Sequence, residues 1–178
     1  IKFAKEGKRV YVGLRAGSTA EAINVWRKLV GDDKVAMDEL ILVIAGRVLR
    51  KLCNACKVGY APDPVTLRKL NMNPDRVSKL YQARTQPIKD PKGNTILCEF
   101  CHELHFLGRT GIYELFMMDD DAKAAVMGGA SPTQMKMAFR KQRAKYMQEQ
   151  ALALVEKGDT SVQEVLRVMK AESESSAP

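Results

Sequence analysis

The sequence predicts an α/β chain that carries a small metal-tethered lobe near its middle and a helical C-terminal region. Short β-branched and aromatic runs alternate with amphipathic segments in the first third of the chain. Four cysteines follow as two Cys-x-x-Cys pairs, Cys53 with Cys56 and Cys98 with Cys101, and 41 residues separate the pairs. From Asp119 onward, turn signals and apolar residues at helical spacing predict successive helices.

Length and composition allow one hydrophobic core, or one core with a small satellite held by something other than packing. The chain has 178 residues, of which 46% are hydrophobic, so it is not a disordered tail. Its formal charge is +8, from 29 basic and 21 acidic residues, but the excess is spread out. Aromatic residues make up only 6%. This composition argues against a dedicated nucleic-acid binder and fits a protein that meets anionic lipid or nucleotide.

The sequence contains no candidate membrane span and no export signal. The longest apolar run, 40–45, is far short of the roughly 18 residues that a span needs. Residues 1–7 include neither an apolar signal core nor an initiator Met, so we expect a chain cut out of something longer. The low-complexity end, 171–178, is predicted to be a disordered tail.

Residues 1–52 are predicted to form a partial α/β segment. Ser18 and Glu21 have the spacing of a capping box, and the apolar face behind them predicts a helix. Alternating apolar residues before Cys53 predict a strand that runs into the first cysteine pair. The predicted elements are a strand at 8–14, a helix at 19–30, a buried helix at 40–45 and a strand at 48–52.

Residues 53–107 are predicted to form a separate metal-binding lobe. The segment between the cysteine pairs is poor in large apolar side chains, so it could not fold well on a core of its own. Asp63 and Asn73, each followed by proline, predict helix starts, and 90–94 predicts a hairpin tip. The region 108–170 then contains a returning strand at 111–117 and helices at 119–127 and 131–147, another that ends at 157, and a last one at 161–170. Ser161 and Glu164 have the spacing of a capping box at the start of the last helix.

The four cysteines predict a structural zinc site. Two Cys-x-x-Cys hairpins supply the four soft thiolates of a closed tetrahedral shell, so Cys53, Cys56, Cys98 and Cys101 are the expected ligands. Two disulfides, four free core thiols or a redox pair are the alternatives, and the spacing and the lack of an export signal favour them less. His102 and His105 follow the second pair, but with four thiolates present we expect them outside the ligand set.

Several motifs, in order, resemble the hexameric ATPases of type II secretion and type IV pilus assembly. Residues 47–56, RVLRKLCNAC, are similar to the strand that enters the first cysteine pair of that family. Residues 108–115, GRTGIYEL, resemble the exit from the second pair, and 158–168, GDTSVQEVLRV, resemble the terminal helices. The resemblance covers nearly the whole chain.

This resemblance implies a fold and a biological setting for the intact protein. The chain would be the C-terminal half of a RecA-like motor domain with an inserted tetracysteine zinc lobe and a helical tail. The intact protein would form a ring of its own copies in the cytoplasm, use ATP and Mg²⁺, and dock on an inner-membrane platform protein. This chain would supply zinc-stabilised structure and contacts to neighbouring subunits or to the platform.

The sequence departs from the family pattern in ways that bear on chemistry. It contains no G-x-x-x-x-G-K-[ST] phosphate loop and no evident acidic strand end for Mg²⁺, so no catalytic residue is assigned and the chain alone should not hydrolyse ATP. Where the resemblance implies a Leu-His-Thr box, the chain reads Leu14-Arg15-Ala16, and Arg15 is the candidate phosphate contact. A solvated Arg15 at a strand end is the equally weighted alternative. A glycine-rich turn, expected after the second cysteine pair, is replaced by His102-Glu103-Leu104-His105.

Arg109 is the candidate interface residue. Gly108 and Gly111 flank it at the predicted exit from the lobe, where a tight crossover needs unusual backbone conformations. Arg109 there can bridge lobes or subunits, and Glu114 is its expected carboxylate partner. A solvent-exposed Arg109 is the alternative.

For the chain as a whole, a stand-alone zinc-ribbon nucleic-acid binder remains the alternative function.

Overall fold

The computed structural model describes the backbone of residues 1–175, and the side chains through residue 169 except at positions 132, 136 and 139. It is a mixed α/β chain of short elements. The helices are α1 (Lys2–Lys5), α2 (Thr19–Val30), α3 (Asp33–Asp38), α4 (Pro64–Lys69), α5 (Asp120–Met127), α6 (Pro132–Lys141), α7 (Met147–Glu156) and α8 (Val162–Ser175). The strands are β1 (Leu42–Leu52), β2 (Val58–Tyr60), β3 (Leu80–Gln82), β4 (Ile88–Lys89), β5 (Thr95–Ile96) and β6 (Phe106–Met117).

The chain forms two compact units. Unit 1 contains residues 1–46 and 113–147, and unit 2 contains residues 47–112 together with those from 148 onward. The longest strands, β1 and β6, pair with each other in a two-stranded sheet, and each continues from one unit into the other. No helix in the described part of the chain is both long and apolar enough to span a membrane.

Unit 1 is built on helices that bury a small apolar core. The amphipathic helix α2 begins at Ser18, whose hydroxyl accepts a hydrogen bond from the Glu21 N–H, and ends at Gly31 with φ +77°. The Trp26 indole N–H donates to the Ala36 carbonyl at 2.8 Å and so joins α2 to α3. The core residues are Ala20, Ile23, Ala36, Met37, Phe116, Met118, Ala122, Val126 and Met135.

A carboxylate from β6 orients the start of α2 within unit 1. The Glu114 Oε1 accepts hydrogen bonds from the backbone N–H of Thr19 at 2.7 Å and from the Thr19 hydroxyl at 2.9 Å. Thr19 is buried, so both donors would lack a partner without Glu114. The negative charge also lies at the positive end of the helix dipole. Glu114 therefore acts as a long-range cap of α2.

Unit 2 contains two minimal antiparallel sheets, β2 with β3 and β4 with β5. The helix α4 starts at Asp63, whose carboxylate accepts from the Thr66 N–H at 3.0 Å, with Pro64 in the first turn. The β4–β5 turn is closed by Asp90, which accepts from the Lys92 and Asn94 N–H groups at 2.9 and 2.8 Å. Strands this short cannot bury a sizeable core by themselves. Other segments of unit 2 supply most of its buried apolar residues, among them Leu49, Leu67, Ile112 and Val155.

A buried carboxylate joins the helix α8 of unit 2 to β1. The Glu164 side chain, on α8, is fully buried and accepts three hydrogen bonds from Arg50, from its N–H at 3.1 Å and its guanidinium at 3.0 and 2.6 Å. Arg167 donates two more, at 2.8 and 2.7 Å. Burial alone would raise the pKa of Glu164, but the donors from Arg167 and Arg50 outweigh it and lower the pKa to about 2.

The sequence located most elements, and the structure corrects several. The helices predicted at 19–30 and 119–127 and the strand at 111–117 are present, while the strand predicted at 8–14 is irregular chain. The buried helix predicted at 40–45 is wrong because β1 begins at Leu42, where alternate residues face solvent. Asn73 begins a turn rather than a helix.

Two further differences concern the C-terminal region. The helix predicted at 131–147 is interrupted after Lys141, so α6 and α7 are separate helices. The helix α8 ends at Ser175, five residues into the segment predicted as a tail, and residues 176–178 of that prediction lie outside the described residues.

We expect Glu164 to contribute to the acid sensitivity of unit 2. Its folded-state pKa lies below the ordinary value of 4.5, so its stabilisation is present above that value and is lost as pH falls towards about 2. Glu164→Gln should lower the free energy of unfolding at pH 7, on the order of 3 kcal/mol. Chemical denaturation of both proteins between pH 7 and pH 2 measures the effect.

The difference between the two denaturation curves isolates Glu164, because all other acid-sensitive groups are common to both proteins. That difference should shrink between pH 5 and pH 2. Glu39→Gln, at an exposed carboxylate, is the control and should give a curve close to that of the unmodified chain. A difference for Glu164→Gln that stays constant with pH would contradict the assignment.

Candidate metal centre

Each cysteine pair lies on a tight turn that follows a strand. The strand β1 ends at Leu52, and the Lys57 N–H donates to the Cys53 carbonyl at 2.9 Å, which closes the first turn. The second pair follows β5, where the His102 N–H donates to the Cys98 carbonyl at 2.8 Å. Two such turns each present both sulfur atoms on one side, as a shared metal ligand set requires.

The structure brings the four cysteines together in one buried cluster. The Sγ atoms of Cys53 and Cys98 are 3.9 Å apart, and those of Cys56 and Cys101 are 3.5 Å apart. All four sulfurs lie within 4.8 Å of one another, and each cysteine is buried. Sulfurs bound at about 2.3 Å to one tetrahedral ion would be about 3.8 Å apart. The cluster could therefore hold a metal ion with little rearrangement.

None of the four cysteines forms a disulfide in this structure. A disulfide requires an S–S separation of about 2 Å, and all four cysteines are free thiols here. Within the described part of the chain, Ile88 is the partly buried apolar side chain that packs against the four thiols, so few apolar side chains surround them. A cluster of this composition is typical of a ligand set rather than of core packing.

The electrostatic surroundings of the sulfurs differ. Backbone N–H groups of Cys101 and Phe100 donate towards the Cys98 sulfur and lower the pKa of that thiol to about 7. Burial raises the pKa of the Cys56 and Cys101 thiols. Without a cation, thiolates would be unequally distributed over the cluster, and a bound dication would favour the thiolate form at all four positions.

The loop after the second cysteine pair has a strained backbone. His102, Glu103 and His105 have φ of 47°, 65° and 60°, a region that glycine tolerates and other residues disfavour. The Glu103 carboxylate accepts from the Cys98 N–H at 2.8 Å, and the His105 carbonyl accepts from the Cys53 N–H at 3.0 Å. The loop thus contacts both cysteine turns through hydrogen bonds.

The two histidines do not join the sulfur cluster. Among the described residues, the group of close potential ligands contains the four cysteines and neither His102 nor His105. His102 is exposed. The His105 Nδ1 is buried and has no hydrogen-bond partner in the described structure. The position of both histidines outside the ligand set stays a prediction.

The other candidate site residues lie away from the cysteine cluster. Arg15 is exposed in irregular chain before α2, and its role as a phosphate contact stays a prediction. Arg109 is exposed within β6, so it lies on a strand and not in a turn, although Gly108 has the predicted positive φ of 81°. The Glu114 carboxylate is engaged by Thr19 rather than by Arg109.

The sequence analysis did not identify two basic side chains that form hydrogen bonds at the first cysteine turn. The Arg84 guanidinium donates to the Cys56 carbonyl at 3.3 Å. The Lys57 ammonium donates to the Gly158 carbonyl at 2.8 Å, across 101 residues of sequence. Neither residue stands in a motif with a known role, so only three-dimensional structure reveals these contacts.

Comparison with known proteins assigns the chain to a family. A family model described as type II/IV secretion system protein matches residues 1–167. The chain is 31% identical over 163 residues to the type IV pilus assembly ATPase PilB of Thermus thermophilus, which covers 92% of this chain and 17% of that protein. It is 32% identical over 130 residues to the type II secretion system protein E of Pseudomonas aeruginosa, covering 73% of this chain and 23% of that protein.

A third relative extends the match over almost all of the chain. The type II secretion system protein E of Aeromonas hydrophila is 28% identical over 171 residues, covering 96% of this chain and 31% of that protein. The chain thus spans less than a third of the length of each of these curated relatives.

We expect the chain to bind one metal ion through its four cysteines. Cys98→Ser should greatly weaken binding, because three thiolates leave the shell incomplete. Amide hydrogen exchange should then increase over residues 53–107 and stay unchanged in α2, since the ion contributes folding energy locally. Elemental analysis of the purified chain gives the metal stoichiometry.

His102→Ala is the control for this experiment, because it changes an exposed side chain next to the site without touching the sulfurs. It should keep one ion per chain. Four freely titrating thiols in the native protein, together with no bound metal, would contradict the metal site.

Proposed function

This chain belongs to the family of type II/IV secretion system proteins, and we propose that it is the C-terminal portion of an ATPase that powers type II secretion or type IV pilus assembly. The family match over residues 1–167 carries this proposal. The relatives named above are a pilus assembly ATPase and secretion system E proteins, and each is at least three times as long as this chain. The activity of the whole protein therefore requires sequence that these residues do not contain.

Within that protein, we assign a structural role to this chain. The four clustered sulfurs support a zinc ion held by Cys53, Cys56, Cys98 and Cys101, since closed tetrathiolate sites are typical of structural zinc. The ion would connect segments of unit 2 whose short strands bury little apolar surface. The RecA-like description of the surrounding fold and the separate lobe at 53–107 belong to the same proposal.

The nucleotide chemistry would come from other parts of the intact protein. The chain lacks a phosphate-cradling loop, so ATP and Mg²⁺ would bind mainly through residues outside it. Arg15 is the proposed cation near the terminal phosphate, and its exposed side chain is accessible to a ligand. The protein would act as a ring of identical subunits in the cytoplasm, with a platform protein of the inner membrane as its partner.

We expect no measurable ATP hydrolysis by the isolated chain, because it has no backbone cradle for the phosphates. A coupled assay of phosphate release from the purified chain measures this. Turnover that disappears in Arg15→Ala would contradict the proposal and indicate an unrelated mechanism. DNA binding that weakens steeply with salt would instead favour a nucleic-acid-binding module.

Arg109→Ala, introduced in a full-length protein that carries this segment, should impair ring assembly or ATPase activity. The side chain is exposed on β6 and available for a bidentate contact with a neighbouring subunit. Zinc content should not change. Light scattering after size-exclusion chromatography measures assembly.

Arg76→Ala is the matched control, since it removes an exposed arginine from the same unit of the chain. It should leave assembly and activity unchanged. Normal assembly and activity in Arg109→Ala would contradict the interface role and indicate that Arg109 is a solvated surface residue.

A further inference from the structure

The connection between α7 and α8 is unusually buried for a loop of polar residues. Thr160 is 0% exposed and Ser161 is 2% exposed, whereas loops generally lie on the surface where water satisfies their polar groups. The segment 158–161 is therefore held in place by protein partners. The hydrogen-bond partners of the segment 158–161 indicate its structural role in unit 2.

The loop contacts the chain on both sides of the first cysteine turn. Before the turn, the Thr160 hydroxyl donates to the Arg50 carbonyl at 2.8 Å, and the Leu52 N–H donates to the Asp159 carbonyl at 2.8 Å. After the turn, the Lys57 ammonium donates to the Gly158 carbonyl at 2.8 Å. The loop thus spans the two ends of the segment that presents Cys53 and Cys56.

A close aromatic contact fixes the first residue of the loop. Gly158 has φ +72°, and a β-carbon placed there would lie 2.6 Å from the ring of Tyr81. The same ring receives the Lys57 ammonium at 4.6 Å from its centroid. Both the backbone conformation and the lack of a side chain are therefore required at this position.

Glu164 extends the contact into α8. It accepts from the backbone and side chain of Arg50, the residue whose carbonyl receives the Thr160 hydroxyl. The guanidinium of Arg50 also lies 4.0 Å from the centroid of the Phe106 ring. The end of β1, next to Cys53, is consequently bonded to the loop and to the first turn of α8.

We infer that residues 158–164 form a clasp that couples metal binding at the cysteines to docking of the C-terminal helices. The inference rests on the metal site of the proposed function but not on any role in ATP hydrolysis. The clasp needs Leu52 and Lys57 in fixed relative positions, and a bound ion fixes the turn between them. By linkage, a docked α8 must strengthen metal binding by the same factor by which the metal strengthens docking.

Gly158→Ala tests the clasp, with Gly108→Ala as the matched control. Both glycines have strongly positive φ, +72° and +81°, so both substitutions strain the backbone, but a β-carbon at Gly108 meets nothing within 4 Å. The probe is zinc, and the readout is its release rate to a chromogenic chelator. Losses of affinity among variants lie mostly in the dissociation rate. Gly158→Ala should therefore release zinc at least about fivefold faster than the control, the lower end of typical coupling between sites.

Thr160→Val provides a second variant in case Gly158→Ala does not fold. It keeps the side-chain shape but removes the hydroxyl that donates to Arg50. Zinc release should again be faster, and Thr133→Val, at an exposed position in α6, should release zinc at the rate of the unmodified chain.

The reciprocal measurement uses amide hydrogen exchange of the unmodified chain with and without zinc. Removing zinc should increase exchange in residues 162–168 of α8 and leave α5, which belongs to unit 1, unchanged. Zinc release at the control rate in both clasp variants, with unchanged exchange in α8, would overturn the coupling and leave the metal site standing. A chain that binds no zinc would overturn both.

Discussion

The convergence of four sulfur atoms within 4.8 Å is the constraint on which the short strands of unit 2 depend. The strands β2 to β5 have two or three residues each, and pairs of that size are not stable in water on their own. The cysteine turns are joined to those strands and to β1, so an ion at the sulfurs would order all of them together. The proposed clasp extends this order to α8 through hydrogen bonds, and α8 also buries the apolar side chains of Val165 and Val168.

The sequence predicted the elements whose signals are local. The capping residues Ser18 and Asp63 mark helix starts that the structure confirms, because a cap is a contact between neighbours in sequence. The run 40–45 was misread because six apolar residues fit a strand or a buried helix equally well, and pairing with β6 decides between them. The segment 8–14 has strand-like composition, but in the structure it is irregular chain.

In the candidate site, too, the features with local sequence signals could be predicted and the long-range contacts could not. The cysteines could be predicted because Cys-x-x-Cys spacing by itself presents two sulfurs to one ion. The ion pair between Arg50 and Glu164 could not be predicted, because the two residues lie 114 positions apart in the sequence. The spacing of Ser161 and Glu164 suggests a capping box instead. In the structure the Ser161 hydroxyl does accept from the Glu164 N–H, while the carboxylate binds Arg50 and Arg167. Sequence spacing thus identified the cap and left the tertiary partner undetermined.

In the loop 102–105, the free energy of metal binding would offset the backbone strain of residues other than glycine. Three non-glycine residues there adopt left-handed backbone conformations, each at a cost of about 1 to 2 kcal/mol. A structural zinc ion on four thiolates contributes about 10 to 16 kcal/mol to folding. The folding free energy from the proposed site would therefore exceed the strain energy of the loop severalfold. The carboxylate of Glu103 and the carbonyl of His105 then use the strained conformation to bond both cysteine turns. Glycines would remove the strain at 102–105, but a glycine at 103 would also remove the carboxylate that bonds Cys98.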